Sequence, residues 1–143
     1  MATPVRENSS LLLVEESETI LESLRAWINV AFPDVQVIEA TTHRDRIRLS
    51  RSESPDVLLL DISGLGRDGL DTLQSIRTAH PRGVVVALVA VDHESYRRAV
   101  LGAGAEACAR LWRVRTELML TLRAHLASDP PYLVTRKDMQ RST

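Results

Sequence analysis

Cysteine is nearly missing from this chain of 143 residues, with Cys108 its one example. An internal disulfide framework is therefore excluded, and the composition suits a reducing compartment. Lysine is as scarce, since Lys137 is the only one among 18 basic residues. Aromatic residues make up 3% of the chain. The formal net charge is only -1, so the basic excess of a dedicated nucleic-acid binder is lacking. No run approaches the roughly 20 apolar residues of a membrane-spanning helix. Leu11–Val14 is too short for a signal-peptide core and has no cleavage pattern after it. These features point to a cytoplasmic protein without a membrane or nucleic-acid partner. The length suits one domain with a real core.

What the chain does have is a pair of uninterrupted apolar runs. In PDVLLLDISGLGRDG, residues 55–69, Val57–Leu60 ends at Asp61 and is followed by Gly64, Gly66 and Gly69. Residues 84–91 read VVVALVAV. Runs with no polar alternation suit strands buried on both faces, as in a parallel sheet covered by helices. A weaker strand, Leu11–Val14, ends at Glu15 and Glu16. Two more are read over 35–40 and 106–111.

Helical spacing separates the strands. Ile20, Leu21, Leu24, Trp27, Ile28 and Ala31 share one helical face, with Ser17 as N-cap and Phe32-Pro33-Asp34 as the stop. A short helix is expected within 43–52, where HRDRIRLSRS offers little to bury. Its arginines read as a solvated face rather than a phosphate patch. Asp68 can cap a helix reaching Ala79, a fourth helix spans Glu94–Gly102, and Val114, Leu118, Leu122 and His125 mark a fifth. The expected organisation is a flexible leader over 1–10, one domain over 11–126, and a tail or linker over 127–143.

Five alternations of strand and helix imply an α/β doubly wound parallel sheet with right-handed crossovers. In such sheets sites form at the carboxyl ends of the strands. Glu15, Glu16 and Asp61 therefore converge on one small pocket. Three repelling carboxylates call for a hard cation, with Mg²⁺ the default for an oxygen-only site.

These segments resemble the receiver domain of two-component response regulators over roughly Leu11–Leu126. The residues that carry the resemblance are LLVEES, PDVLLLDISGLGRDG, Val84–Ala90 and GAEACARLW near the fifth strand. The resemblance implies a flavodoxin-like fold with strand order 2-1-3-4-5. It implies that Asp61 accepts a phosphoryl group from the phosphohistidine of a sensor histidine kinase or phosphotransfer protein. Glu15 and Glu16 match the acidic pair that binds Mg²⁺ with the acceptor, Glu16 standing where an Asp is usual.

Three positions depart from the family. Val89 stands where a Ser or Thr hydroxyl bonds the new phosphoryl group. Cys108 replaces the aromatic residue that moves inward on activation. Leu111 replaces the Lys that pairs with the phosphoryl oxygens, with Trp112 next to it. Arg110 or Arg113 could substitute only after a register slip, and strand alternation points Arg110 to the face opposite Leu111. The expectation is a degenerate receiver whose acceptor remains and whose coupled switch does not.

The alternative is a phosphorylation-independent interaction module. It would use the face of fourth helix, fifth strand and fifth helix, where Tyr96, Arg97, Arg98, Arg113 and Arg115 fall and where receivers form homodimers or meet partner proteins. A small metal-dependent hydrolase is disfavoured, because the sequence offers no nucleophile but Asp61 and no histidine near the strand tips except His93. Cys108 reads as a small core residue rather than a reactive thiol.

Overall fold

The computed structural model describes residues 3–41, 45, 54–65 and 68–127. Five strands, β1 (Ser10–Val14), β2 (Gln36–Ala40), β3 (Val57–Asp61), β4 (Val84–Val89) and β5 (Ala107–Arg110), form one sheet in the order β2-β1-β3-β4-β5. Every pairing is parallel. The helices are α1 (Glu18–Ala31), α2 (Asp68–Ala79), α3 (Glu94–Gly102) and α4 (Met119–Leu126). The helix expected within 43–52 lies outside the described residues, so the expected fourth and fifth helices are α3 and α4.

Alternation along the strands builds two cores. Leu11, Leu13, Val57, Leu59, Val86, Leu88 and Ala109 face one side, where Leu24 and Ile28 of α1 and Leu122 and Leu126 of α4 cover them. Leu12, Val14, Leu58, Leu60, Val85, Ala87 and Cys108 face the other, beneath Leu73 and Ile76 of α2 and Val100 of α3. All five residues of β3 are buried, which explains its unbroken apolar run. Each fully buried leucine contributes about 1.5–3 kcal/mol of transfer free energy, so these two layers set the sheet's position.

Helix entry follows local chemistry. The Ser17 side chain accepts the Ile20 N–H at 3.4 Å, and α1 stops where the Phe32 N–H closes on the Ile28 carbonyl at 2.7 Å. His93 caps α3, its Nδ1 accepting the Ser95 N–H at 3.2 Å. Asp68, expected as a cap, is the first residue of α2 itself and places a carboxylate in its first turn, where the helix dipole favours it.

Four expectations differ from the structure. The fourth strand ends at Val89 rather than Val91. Val89 pairs with Arg110, so the edge strand β5 has no partner beyond that point and Leu111 leaves it to open a 3₁₀ turn. The expected fifth helix begins as a π-helical turn over Val114–Leu118 and becomes α-helical at Met119. The leader, expected to be loose, is docked over its described residues. The Thr3 N–H donates to Ala31, the Arg6 N–H donates to Leu126, and Val5 bridges Ala127.

Candidate functional site

Register brings the site together. Val14 lies opposite Leu60 and Asp61 opposite Leu88, so Glu15 leaves β1 at the level where Asp61 ends β3. Both side chains are almost completely buried, at 5% and 8% exposure. Matching backbone contacts orient them: the Ser17 N–H donates to Glu15 Oε1 at 3.0 Å, and the Ser63 N–H donates to Asp61 Oδ1 at 2.8 Å. Each carboxylate is thus held by the amide two residues further on.

Glu15 and Asp61 sit at neighbouring strand tips. Glu15 Oε2 is buried without a conventional donor. Its neighbour is the Asp61 carboxylate, and two carboxylates bond only when one carries a proton. Burial first, then contact with Asp61, raises the Glu15 carboxyl from its ordinary value to about 8. Near neutral pH Glu15 therefore holds its proton, and a hard cation is the other species able to satisfy its buried oxygen. That orphaned oxygen makes the pair fit Mg²⁺.

Glu16, expected as the third ligand, is exposed at the tip of β1. Among the described residues, no three His, Cys, Asp or Glu side chains gather closely enough to hold an ion. The structure brings two of the three acids together and leaves the third at the rim.

The departing positions also have definite places. Val89, one residue beyond the partner of Asp61, packs in the core layer under α2 and α3 with Cys108. Burial pushes the Cys108 thiol up, in keeping with a core residue rather than a nucleophile. Tyr96 is half-buried against the same cluster. Leu111 packs instead with the layer on the α1 side, in a groove of about 340 Å³ with Ile20, Trp27 and Val114. Arg97, Arg98, Arg113 and Arg115 are exposed, while His93 serves its own helix cap.

Arg110 does not replace the missing Lys. Its Nε and Nη2 donate to Glu117 Oε1 at 2.8 and 2.6 Å, and its Nη1 donates to Asp92 at 2.9 Å. The Glu117 Oε2 also accepts the Arg110 backbone N–H at 2.9 Å. These bonds hold the Glu117 carboxyl below its ordinary range. The sequence carried only half of that signal. Alternation placed Arg110 opposite Leu111, but spacing did not show that Glu117, seven residues on in the π-helical turn, would meet it.

Known proteins are similar to this chain in sequence and fold. Residues 11–109 match the model of the response regulator receiver domain. The nitrate/nitrite response regulator NarL of Escherichia coli strain K12 is 30% identical over 102 residues, covering 71% of this chain and 47% of NarL. The response regulator MprA of Mycolicibacterium vanbaalenii is 30% identical over 128 residues, 90% of this chain and 53% of MprA. This chain thus spans about half the length of the curated relatives it matches. A signal receiver domain of a DNA-binding response regulator from Colwellia psychrerythraea superposes with a TM-score of 0.73 at 24% identity, over 82% of this chain and 97% of that one. No described helix is long and apolar enough to cross a membrane. Five parallel strands in the order 2-1-3-4-5, an acid at the end of the third, and a family match over most of the chain lead to one identification: this chain belongs to the response regulator receiver domains of two-component signalling.

Proposed function

We propose that this receiver accepts a phosphoryl group on Asp61 from the phosphohistidine of a sensor kinase or phosphotransfer protein in the cytoplasm. The observation that supports it is the Glu15–Asp61 pair, two buried carboxylates fixed by backbone amides at neighbouring strand tips. In the transfer an Asp61 oxygen bonds to phosphorus, the phosphorus–nitrogen bond breaks, and the electron pair returns to the imidazole. The Ser63 amide holds Oδ1, which leaves the other oxygen to attack. Mg²⁺ would be held by Glu15 and Asp61, with Glu16 at the rim, and when bound it would neutralise charge on the transferred group. Val89 supplies no hydroxyl donor and Leu111 no cation, so a charge-assisted bond of about 1.5–3 kcal/mol is missing at Val89 alone.

Intact mass after incubation with Mg²⁺ and a small-molecule phosphodonor tests this. The wild-type chain should gain one phosphoryl group and Asp61→Asn none. No gain in the wild type sinks the reading and leaves a phosphorylation-independent module acting through partner proteins or a second copy at the α3–β5–α4 face.

A further inference from the structure

The π-helical turn, the loop after β4 and the end of β5 meet at one side chain. Arg110 pairs with Val89 in the last rung of the sheet, and from there its guanidinium reaches in two directions. One arm binds Glu117 in the π-helical turn, which also receives the Arg110 backbone N–H. The other arm binds Asp92, three residues past Val89 in the loop that leads to α3. Both arms are charge-assisted, the Asp92 arm the more solvated with 66% of the Asp92 side chain exposed, and the planar fork fixes their directions together. Arg110 and Glu117 keep only about a quarter of their side chains exposed, 25% and 27%, so water screens this pair less than an ordinary surface bridge.

Beneath the fork is a cavity of about 150 Å³, bordered by Val89, Asp92, His93, Arg97, Cys108 and Arg110. Two of the three degenerate switch positions border this cavity, and Cys108 offers no ring to move into it. The fork ties the loop after β4 to the π-helical turn across this cavity.

We propose that Arg110 is a fixed clasp, joining the β4–α3 loop to the π-helical start of the last helix and holding the α3–β5–α4 face in one arrangement whatever the state of Asp61. The clause about Asp61 rests on the phosphoacceptor reading; the clasp itself does not. A π turn commonly marks a functional site within a helix, and here it places Glu117 under the guanidinium. The clasp makes the face constant, so a partner reads this receiver by its presence rather than by its phosphorylation.

Amide hydrogen exchange on the full chain separates the two ideas. Glu117→Gln should speed exchange over residues 90–97, and Asp92→Asn over 111–118, each by roughly tenfold as expected for loss of one charge-assisted bond. If each change loosens only its own segment, Arg110 joins nothing and the clasp is wrong. The same measurement is then made with Mg²⁺ and a small-molecule phosphodonor, with intact mass read in parallel. Where both proteins gain mass, the clasp requires that wild-type exchange over 90–118 stay unchanged and that exchange there alter in Arg110→Gln. Altered exchange in the phosphorylated wild type overturns it. If neither protein gains mass, the acceptor reading of Asp61 has failed, and the reciprocal loosening still decides the clasp.

Discussion

Glu15 is the residue through which pH enters this molecule. Its carboxyl is raised to about 8 in the folded chain, by burial and then by Asp61, against an ordinary 4.5 when unfolded. Between those values the folded protein holds a proton that the unfolded chain has released, so folding is weakened as that proton is stripped off. The stabilisation is complete below about pH 4.5 and is lost as pH rises through about 8. At 1.36 kcal/mol per pH unit the effect is on the order of a few kcal/mol. Thermal or urea unfolding between pH 5 and 8.5 should show the decline, and Glu15→Gln should flatten it; a flat wild-type profile would show that Glu15 holds no such proton. Mg²⁺ competes with that proton, so the ion should stabilise more at pH 8 than at pH 6. Val89 carries a second test at this scale. Val89→Thr keeps the volume but buries a hydroxyl, costing about 1–3 kcal/mol in the unmodified protein. The Thr should also slow loss of the phosphoryl group from Asp61, as followed by mass over time. An unchanged lifetime would mean that position 89 does not stand beside the phosphoryl oxygens.

Elements whose signal is local were legible in the sequence, and elements set by neighbours were not. The all-apolar run before Asp61 and the α1 face starting at Ile20 each carry their own periodicity, and Ser17 caps as its side chain dictates. The ends of β4 and β5 depend on pairing: β4 stops with the Val89–Arg110 rung, which no feature of VVVALVAV announces. The π turn accompanies the Glu117–Arg110 contact, which helical spacing does not announce. A second arginine, equally invisible from its spacing, braces the opposite end of the sheet. Arg77 of α2 donates to the carbonyls of His80, Pro81 and Gly83 and lies 2.6 Å from Glu106. Glu106 in turn accepts the Val85 N–H at 2.6 Å, closing the start of β4. Gly104, with φ +119, brings its backbone against the Arg77 stem, where an added Cβ would stand 2.4 Å from Cγ. Arg77→Ala should therefore destabilise by about 2–4 kcal/mol, because several carbonyls lose their donor at once. Gly104→Ala should also destabilise, for both strain and space. A loss under about 0.5 kcal/mol for Arg77→Ala would show that water replaces these bonds without cost.

For the molecule as a whole, the strand-tip acids Glu15 and Asp61 could be matched from sequence because parallel topology forces β1 and β3 side by side. The joining of residues 3–6 to the ends of α1 and α4 could not, since Thr3, Val5 and Arg6 have no periodicity to reveal a partner. Their contacts tie the leader to Ala31 at the end of α1 and to Leu126 and Ala127 at the end of α4, the two helices over one core layer. The Arg6 guanidinium adds a bond to the His125 carbonyl. The leader thus satisfies late carbonyls of both helices, which otherwise lack intrahelical partners. Each such bond contributes about 0.5–1.5 kcal/mol net, reduced by the entropy of ordering the strap. Deleting residues 1–7 should cost about 1–2 kcal/mol, or about 3–6 °C in Tm for a domain of this size. Hydrogen exchange should speed at 124–127 and 29–32 while β3 remains protected. The fixed face proposed for the Arg110 clasp lies at the other end of α4, so exchange over 111–118 should stay as it was. Faster exchange there as well would mean that α4 moves as one lever, and that the leader, far from Asp61, also sets the face that partners read.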